Sequence, residues 1–333
     1  MIDKYCIIGG GISGLYLAYK LIKIKKIIGC NISIYEKCSN HFGGRILTTT
    51  FQNFPISLGA GRLCNKHLNI LQLIKELNLM NKIFPMKSNY GLWISNKLYQ
   101  DAKNLSFKTF DDFIKVDDKY KEETFFTIID KLQKKSSNNK ILFNSTNLFT
   151  IISIFYDTNV AQLMQTIFGY QHNFIDINSL EALNEIKFSF EQDIEYYSLK
   201  GGLHQITDRL IEILNKHKVN LYLNTEIKTY DKDYLNDTIS IKDSIVIFAL
   251  TKIALQKIVR NSNFPYKIKF LNLLNTNIVN IPLIRIYASF DSYWYKDLPN
   301  LVTNTWLGQI IPINEKVIMI SYTDSNKAKF LRH

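Results

Sequence analysis

Residues 5–37 read YCIIGGGISGLYLAYKLIKIKKIIGCNISIYEK, and the grammar of this stretch decides the fold. Tyr5 to Ile8 is a short apolar run suited to a buried parallel strand, and three glycines follow at once. From Ile12 the apolar positions fall at helical spacing, at Leu15, Ala18 and Leu21–Ile22, with Gly29 expected to stop the helix. NISIYE then resumes as a strand that ends on an acid. A strand, a crossover helix and a second parallel strand imply an α/β fold.

The glycines are spaced as Gly9-x-Gly11-x-x-Gly14, and Glu36 stands twenty-two residues after the last. Glycine here permits a tight turn, close approach of backbone to a pyrophosphate, and close packing of helix on strand. The helix start adds unpaired N–H groups and a partial positive charge. Glu36 can accept hydrogen bonds from both ribose hydroxyls, and its charge disfavours a 2′-phosphate. The pattern predicts a dinucleotide site built on Gly9, Gly11, Ser13, Gly14, Glu36 and Lys37.

Outward from this unit, LNILQLIKELNL at 68–79 places Ile70, Leu73, Ile74 and Leu77 on one helical face. Residues 91–196 are aromatic and polar and poor in glycine. They predict a mostly helical insertion with a strand or two near its start and a flexible break at SSNN, 136–139. KGGLHQITDRLIEILNKHK then reads as a glycine-opened amphipathic helix, VNLYLNTEIKTY as a strand, and SIVIFAL as a central parallel strand, apolar throughout. IPLIRIYASFDSYWY and KVIMISY predict strands of a second sheet. The expected organisation is one nucleotide-binding domain over 1–90 and 197–255, interleaved with a substrate domain over 91–196 and 256–333.

A chain of 333 residues with 46% hydrophobic and 21% charged residues has the composition of an ordinary globular protein with two domains. Its apolar runs are too short for a membrane span. A first strand at Tyr5 leaves no room for a secretory leader, so a cytoplasmic location is expected. The four cysteines form no CxxC, free thiols are expected, and no metal site is predicted. The net charge of +12 comes from scattered lysines, and KLQKK at 131–135 reads as a solvated helix face. A nucleic-acid partner, which needs a concentrated basic element, is therefore disfavoured. Trp93, Trp294 and Trp306 read as core residues more readily than as a pocket wall.

The stretch EKCSNHFGGR, 36–45, resembles the segment that follows the first unit in the flavin amine oxidase superfamily, which includes monoamine, polyamine and L-amino-acid oxidases and protoporphyrinogen oxidase. SLGAGR at 57–62, Gly201–Gly202, LNTEIKTY at 223–230, SIVIFAL and IRIYASFDSYWY at 284–295 fall in the family's order. The resemblance implies FAD as cofactor and a Rossmann-like FAD-binding domain interleaved with a mixed α+β substrate domain. It implies that Gly43, Gly44 and Arg45 lie against the phosphates or flavin edge, that Gly59, Ala60, Gly61 and Arg62 run past the flavin, and that Ile227 packs at the adenine end. Arg285 stands where the family carries a lysine that holds a water at the flavin. An arginine keeps its proton, which favours pairing over water activation.

The chain departs from the family pattern at several places. The spacer from glutamate to GGR is one residue longer, and Cys38 replaces an arginine common two positions after the acid. No second nucleotide motif appears, as fits an oxidase reduced by its substrate. The sequence ends at KAKFLRH, before the glycine-rich strand and helix that cap the flavin in the family.

LGAGRLCNKH is most similar to the L-amino-acid oxidase version of its turn, where an arginine clamps the substrate carboxylate. The expected function is oxidation of a small-molecule amine or L-amino acid with O2 as acceptor, with Arg62 and Arg285 as the candidate catalytic residues. Two alternatives stay open: a non-catalytic binding module on the same fold, and a desaturase or porphyrinogen-oxidase type of reaction. The oligomeric state is not legible.

Overall fold

The computed structural model describes residues 4–86, 90–100, 108–114, 116–190, 193–264 and 266–332. Phe107 and Lys115 of the predicted aromatic stretch lie outside them. The chain divides into two compact units, Met1–Met86 with Glu195–Asn280, and Lys87–Ile194 with Ile281–His333. Each unit takes two separate pieces of chain.

The first unit is organised by strand β1 (Lys4–Ile8), helix α1 (Ile12–Lys23) and strand β2 (Ile32–Tyr35). With β10 (Asn220–Tyr222) and β13 (Ser244–Phe248) they form a parallel sheet in the order β10-β2-β1-β13. The two-residue period of a strand sends Ile7 to one face of β1, and Cys6 and Ile8 to the other. Ile7 joins Leu15, Ala18, Leu210 and Leu214, the last two from helix α9 (His204–Lys216). Cys6 and Ile8 join Ile227, Leu235 and Ile258. Burial pushes the Cys6 thiol up to about 12, so it stays neutral.

Three sequence expectations are corrected here. Among the described residues SIVIFAL is an edge strand rather than a central one: β13 pairs there only with β1, and Ile245 is 46% exposed. The first helix ends at Lys23, not at Gly29; Lys26 takes φ 57° on the way out. Gly29 has a packing role instead, because a Cβ there would lie 1.9 Å from the His217 carbonyl oxygen. Finally, the strand expected over 219–230 stops at Tyr222. Asn224 adopts φ 51°, and the N–H groups of Asn224 and Thr225 donate to the carbonyls of Cys38 and Glu36 at 2.8 Å each.

Smaller elements complete this unit. Strands β3 (Thr48–Phe51) and β4 (Phe54–Ser57) form a hairpin whose turn residues Gln52 and Asn53 both have positive φ, the twist a two-residue hairpin prefers. Strands β5 (Leu63–Cys64), β9 (Tyr196–Leu199) and β6 (Ile83–Pro85) make a three-stranded sheet. Helix α2 (Leu68–Glu76) follows β5, burying Leu73 and Ile74 but leaving Ile70 36% exposed, so the predicted face is narrower than its pattern. Strands β11 (Tyr234–Leu235) and β12 (Ile239–Ser240) form a second small hairpin. Helices α10 (Lys252–Asn261) and α11 (Lys267–Asn277) close the unit. Gln256 donates to Asn275 Oδ1 at 2.6 Å, and Lys252 reaches the Ile278 carbonyl at 2.5 Å. Those ties carry the unit to Asn280, past the boundary expected at 255.

The second unit has a six-stranded sheet in the order β14-β17-β16-β15-β7-β8, where β7 is Tyr90–Ile94, β8 Lys97–Tyr99, β14 Leu283–Ser289, β15 Asn300–Thr303, β16 Gln309–Pro312 and β17 Val317–Asp324. Among its described strand pairs only β15 and β7 run parallel. The helical insertion comprises α3 (Phe125–Asn138), α4 (Lys140–Ser145), α5 (Leu148–Phe155), α6 (Thr158–Phe168), α7 (His172–Ile175) and α8 (Ser179–Ser189). Their apolar faces enclose a core that includes Phe110, Phe125, Phe143, Ile151 and Phe174. Side chains of Thr124, Asn147, Asp157 and Asn178 cap α3, α5, α6 and α8. SSNN is not a flexible break; it is the last turn of α3, and the chain redirects at Asn139 into α4. Helix α12 (Ser325–Leu331) follows β17. Trp294 and Trp306, expected in the core, are 60% and 52% exposed. Among the described residues no helix is long and apolar enough to cross a membrane.

Candidate functional site

The turn from β1 into α1 is shaped by what its glycines exclude. Gly9 sits at φ 110°, and a Cβ there would lie 2.4 Å from the Ala249 carbonyl oxygen. At Gly14 a Cβ would fall 2.1 Å from the Gly9 carbonyl oxygen, so this glycine seats α1 on β1. Gly11 differs: a Cβ would meet nothing nearer than the Gly44 Cα at 3.9 Å. The space above Gly11 is open because it belongs to a cavity.

That cavity has a volume of about 770 Å³, within the range of ligand and cofactor clefts, and lies wholly in the first unit. Gly9, Gly11, Ser13, Glu36, Lys37, Gly44, Arg45 and Ile227 all line it, so most of the sequence-predicted cofactor residues converge on one place. Gly11 is the N-cap of α1, in extended conformation and with no side-chain cap, and the first turn carries no acid. Its N–H groups therefore remain available to an anion. Gly43 and Gly44, at φ 113° and 58°, let the second loop run backbone to backbone against the first. Gly43 N–H donates to the Gly10 carbonyl at 2.8 Å.

Glu36 leaves the end of β2 with both oxygens engaged by backbone: Oε2 accepts from Gly10 N–H at 2.8 Å and Oε1 from Cys38 N–H at 2.9 Å. Each oxygen has a second lone pair to offer. Cys38, which replaces an arginine of the family pattern, thus contributes through its backbone, while its Sγ lies 3.0 Å from His41 Nδ1. Tyr35 stacks on Tyr222 with ring centroids 4.9 Å apart, and burial lifts its hydroxyl to about 12. Arg45 and Lys37 are exposed at the cavity, and their side chains have no hydrogen-bond or ion-pair partner among the described residues. Lys257 pairs with Glu226 at 3.2 Å, and both line the same space.

Gly14, Gly43, Gly59, Ala60, Gly61 and Arg62 do not line this cavity. The turn they predict is attached to it through Arg45. Ala60 N–H donates to the Arg45 carbonyl at 2.9 Å, and a Cβ on Gly59 would lie 1.9 Å from that oxygen. Arg62 places its guanidinium over the Tyr196 ring, 4.7 Å from the centroid, where such stacking is worth about 0.5–1 kcal/mol at a partly exposed site. Arg285 belongs to the second unit, on β14, with its guanidinium 4.7 Å over the Tyr322 ring and beside Tyr287. Its Nε is buried without a hydrogen-bond partner among the described residues.

Sequence reasoning missed the wall contributed by Phe248, Leu250, Thr251, Ile253 and Lys257. Its signal was present as a threonine between an apolar strand and the amphipathic KIALQKIV, the usual position of a helix N-cap. It also missed Gly10, where a Cβ would lie 2.3 Å from the Phe42 ring and 2.8 Å from the Glu36 Cβ. The uncapped helix start, the open space over Gly11 and two uncommitted cationic side chains together fit the pyrophosphate and ribose of a dinucleotide.

Comparison with known proteins agrees with this geometry. Residues 12–247 match the family model described as flavin containing amine oxidoreductase. An L-amino-acid oxidase of Sistrurus catenatus edwardsii is 25% identical over 242 residues, 67% of this chain and 44% of that protein. The chain therefore spans less than half the length of the curated relative it matches. A solved putrescine oxidase redesigned in cofactor binding superposes with a TM-score of 0.73 at 15% identity, over 99% of this chain and 77% of its own. A candidate protoporphyrinogen oxidase from Exiguobacterium sp. 255-15 gives 0.65 at 13%, over 99% and 81%. At such identities these structures speak for the fold, whereas the family match covers most of the chain. With a Rossmann-like α/β unit interleaved with a mixed α+β unit, a glycine-lined cleft at the first crossover and this match, the chain belongs to the flavin containing amine oxidoreductase family.

Proposed function

We propose that the protein is an FAD-dependent oxidoreductase acting on an amine or L-amino acid. The observation that carries this reading is the 770 Å³ cavity in which Gly11, Glu36, Gly44, Arg45 and Ile227 meet at an uncapped helix start. FAD, when bound, supplies a two-electron acceptor that O2 reoxidises, the substrate leaving as imine and the oxygen as hydrogen peroxide.

The chain's own residues bind and orient. The first-turn N–H groups of α1 and the Arg45 guanidinium hold the pyrophosphate, and Glu36 accepts from the ribose hydroxyls. Ile227 and Phe248 cover the apolar side of the cleft. Arg62, its guanidinium stacked on Tyr196, orients the substrate by pairing with a carboxylate, which distinguishes an amino acid from a simple amine. The L-amino-acid oxidase likeness supports that choice.

Anaerobic addition of L-amino acids, and separately of polyamines, to the FAD-loaded protein tests it. Loss of the oxidised flavin absorbance with amino acids is expected. Bleaching by polyamines alone would overturn the carboxylate reading, and an FAD-loaded protein bleached by neither would support a binding module.

A further inference from the structure

The second unit holds a cleft that the flavin reading leaves without a role. It has a volume of about 470 Å³, and Leu163 lies on its apolar side. Around it stand the side-chain amides of Asn159, Gln162, Gln165 and Asn304, together with Lys327. Among the described residues, neither these four amides nor the Lys327 ammonium has a hydrogen-bond or ion-pair partner. Five polar residues thus line one space, three of them, Asn159, Gln162 and Asn304, open to solvent.

Lys327 is half-buried with one acid close enough to act on it. Its nearest acid is Asp324, 3% exposed, whose Oδ1 accepts from Gln171 N–H at 2.9 Å. Asp324 Oδ2 accepts from His172 N–H at 3.3 Å and lies 2.6 Å from His172 Nδ1. The carboxylate is thus engaged by an imidazole and two backbone N–H groups, and it acts on Lys327 only through space. Burial lowers the Lys327 pKa and Asp324 opposes that shift, a balance that an incoming anion would improve. The backbone fixes the lysine in place: Gln171 Oε1 accepts from the N–H groups of Asn326 and Lys327, pinning the first turn of α12.

We infer that this cleft binds a small hydroxylated monocarboxylate, with the carboxylate on Lys327 and the hydroxyls on the surrounding amides. A single ammonium, with no arginine among the described lining residues, suits one negative charge better than a phosphate dianion. Primary amides both donate and accept, which matches hydroxyl groups, and among the described residues no aromatic ring lines the cleft to favour a flat apolar ligand.

Isothermal titration of the whole protein with gluconate, and with sorbitol as the uncharged polyol, tests the assignment. Gluconate is expected to bind, with sorbitol at least about tenfold weaker. Lys327→Gln should lower gluconate affinity by about tenfold or more, the loss of a charge-assisted contact. Gln162→Ala, at an exposed position, should lower it by about threefold without moving the thermal midpoint, and decides the matter if Lys327→Gln fails to fold. Equal binding of gluconate and sorbitol, no heat with gluconate at millimolar concentration, or affinity unchanged in the folded variants would overturn the proposal.

Discussion

The Gly10 N–H donates to Glu36 Oε2 at 2.8 Å, joining the glycine turn after β1 to the acid that ends β2. One carboxylate thereby fixes the loop it shares a cavity with. Oε1 does the same for Cys38 N–H, so Glu36 reaches a ribose already held from two sides. Preorganisation of this kind removes part of the ordering cost of binding.

Glu36→Gln keeps the shape but loses the charge that strengthens each acceptor bond. A hydrogen bond to a charged group is worth about 1.5–3 kcal/mol, so FAD affinity should fall about 10–100-fold. Fluorescence titration of the apoprotein measures it, with circular dichroism checking the fold.

The glycines should separate by role. Gly14→Ala forces a Cβ to within 2.1 Å of the Gly9 carbonyl and should destabilise the protein by about 3 kcal/mol, read by denaturant unfolding. Gly11→Ala meets only the Gly44 Cα at 3.9 Å, so stability should hold. Its methyl group instead enters the cavity, and FAD affinity should drop by about tenfold or more.

Arg62→Ala should raise KM for L-amino acids by about 100-fold, the scale of a lost bidentate ion pair, and leave amines lacking a carboxylate little changed. Steady-state peroxide release with both substrate classes makes the comparison. A uniform loss across both would assign Arg62 to packing against Tyr196.

Acid should loosen the contact between α1 and α2. Glu76 accepts from Lys23 at 2.9 Å, from Gln72 and from the Tyr19 hydroxyl at 2.8 Å, and its carboxyl is held down to about 2 by these bonds, with the Lys23 ammonium foremost. A lowered folded pKa stabilises above the unfolded value of 4.5, and that contribution disappears as pH falls from there towards 2. Glu76→Gln should cost about 1 kcal/mol at neutral pH and flatten the stability profile over that window.

Much of the cleft was legible in the sequence because glycine spacing reports backbone geometry directly. Gly9 and Gly14 are required by approaches of 2.4 and 2.1 Å, which no side chain survives. Ile227 was legible as a position but not as a conformation. Its segment has strand propensity, yet the carbonyls of Glu36 and Cys38 draw the N–H groups of Thr225 and Asn224 out of the ladder. The edge position of β13 could not be read, since an apolar run looks alike at the centre or the rim of a parallel sheet. The unit boundary at Asn280 rests on the Gln256 to Asn275 bond between two helices, a tertiary contact with no local signature.

The central claim is that the glycine-lined cavity holds FAD. Its most direct measurement is absorbance in the flavin bands after incubation of the purified protein with FAD and removal of the excess. The account predicts a retained oxidised-flavin spectrum that is weakened in Gly11→Ala and Glu36→Gln while both remain folded. A folded wild-type protein that stays colourless in excess FAD would contradict it.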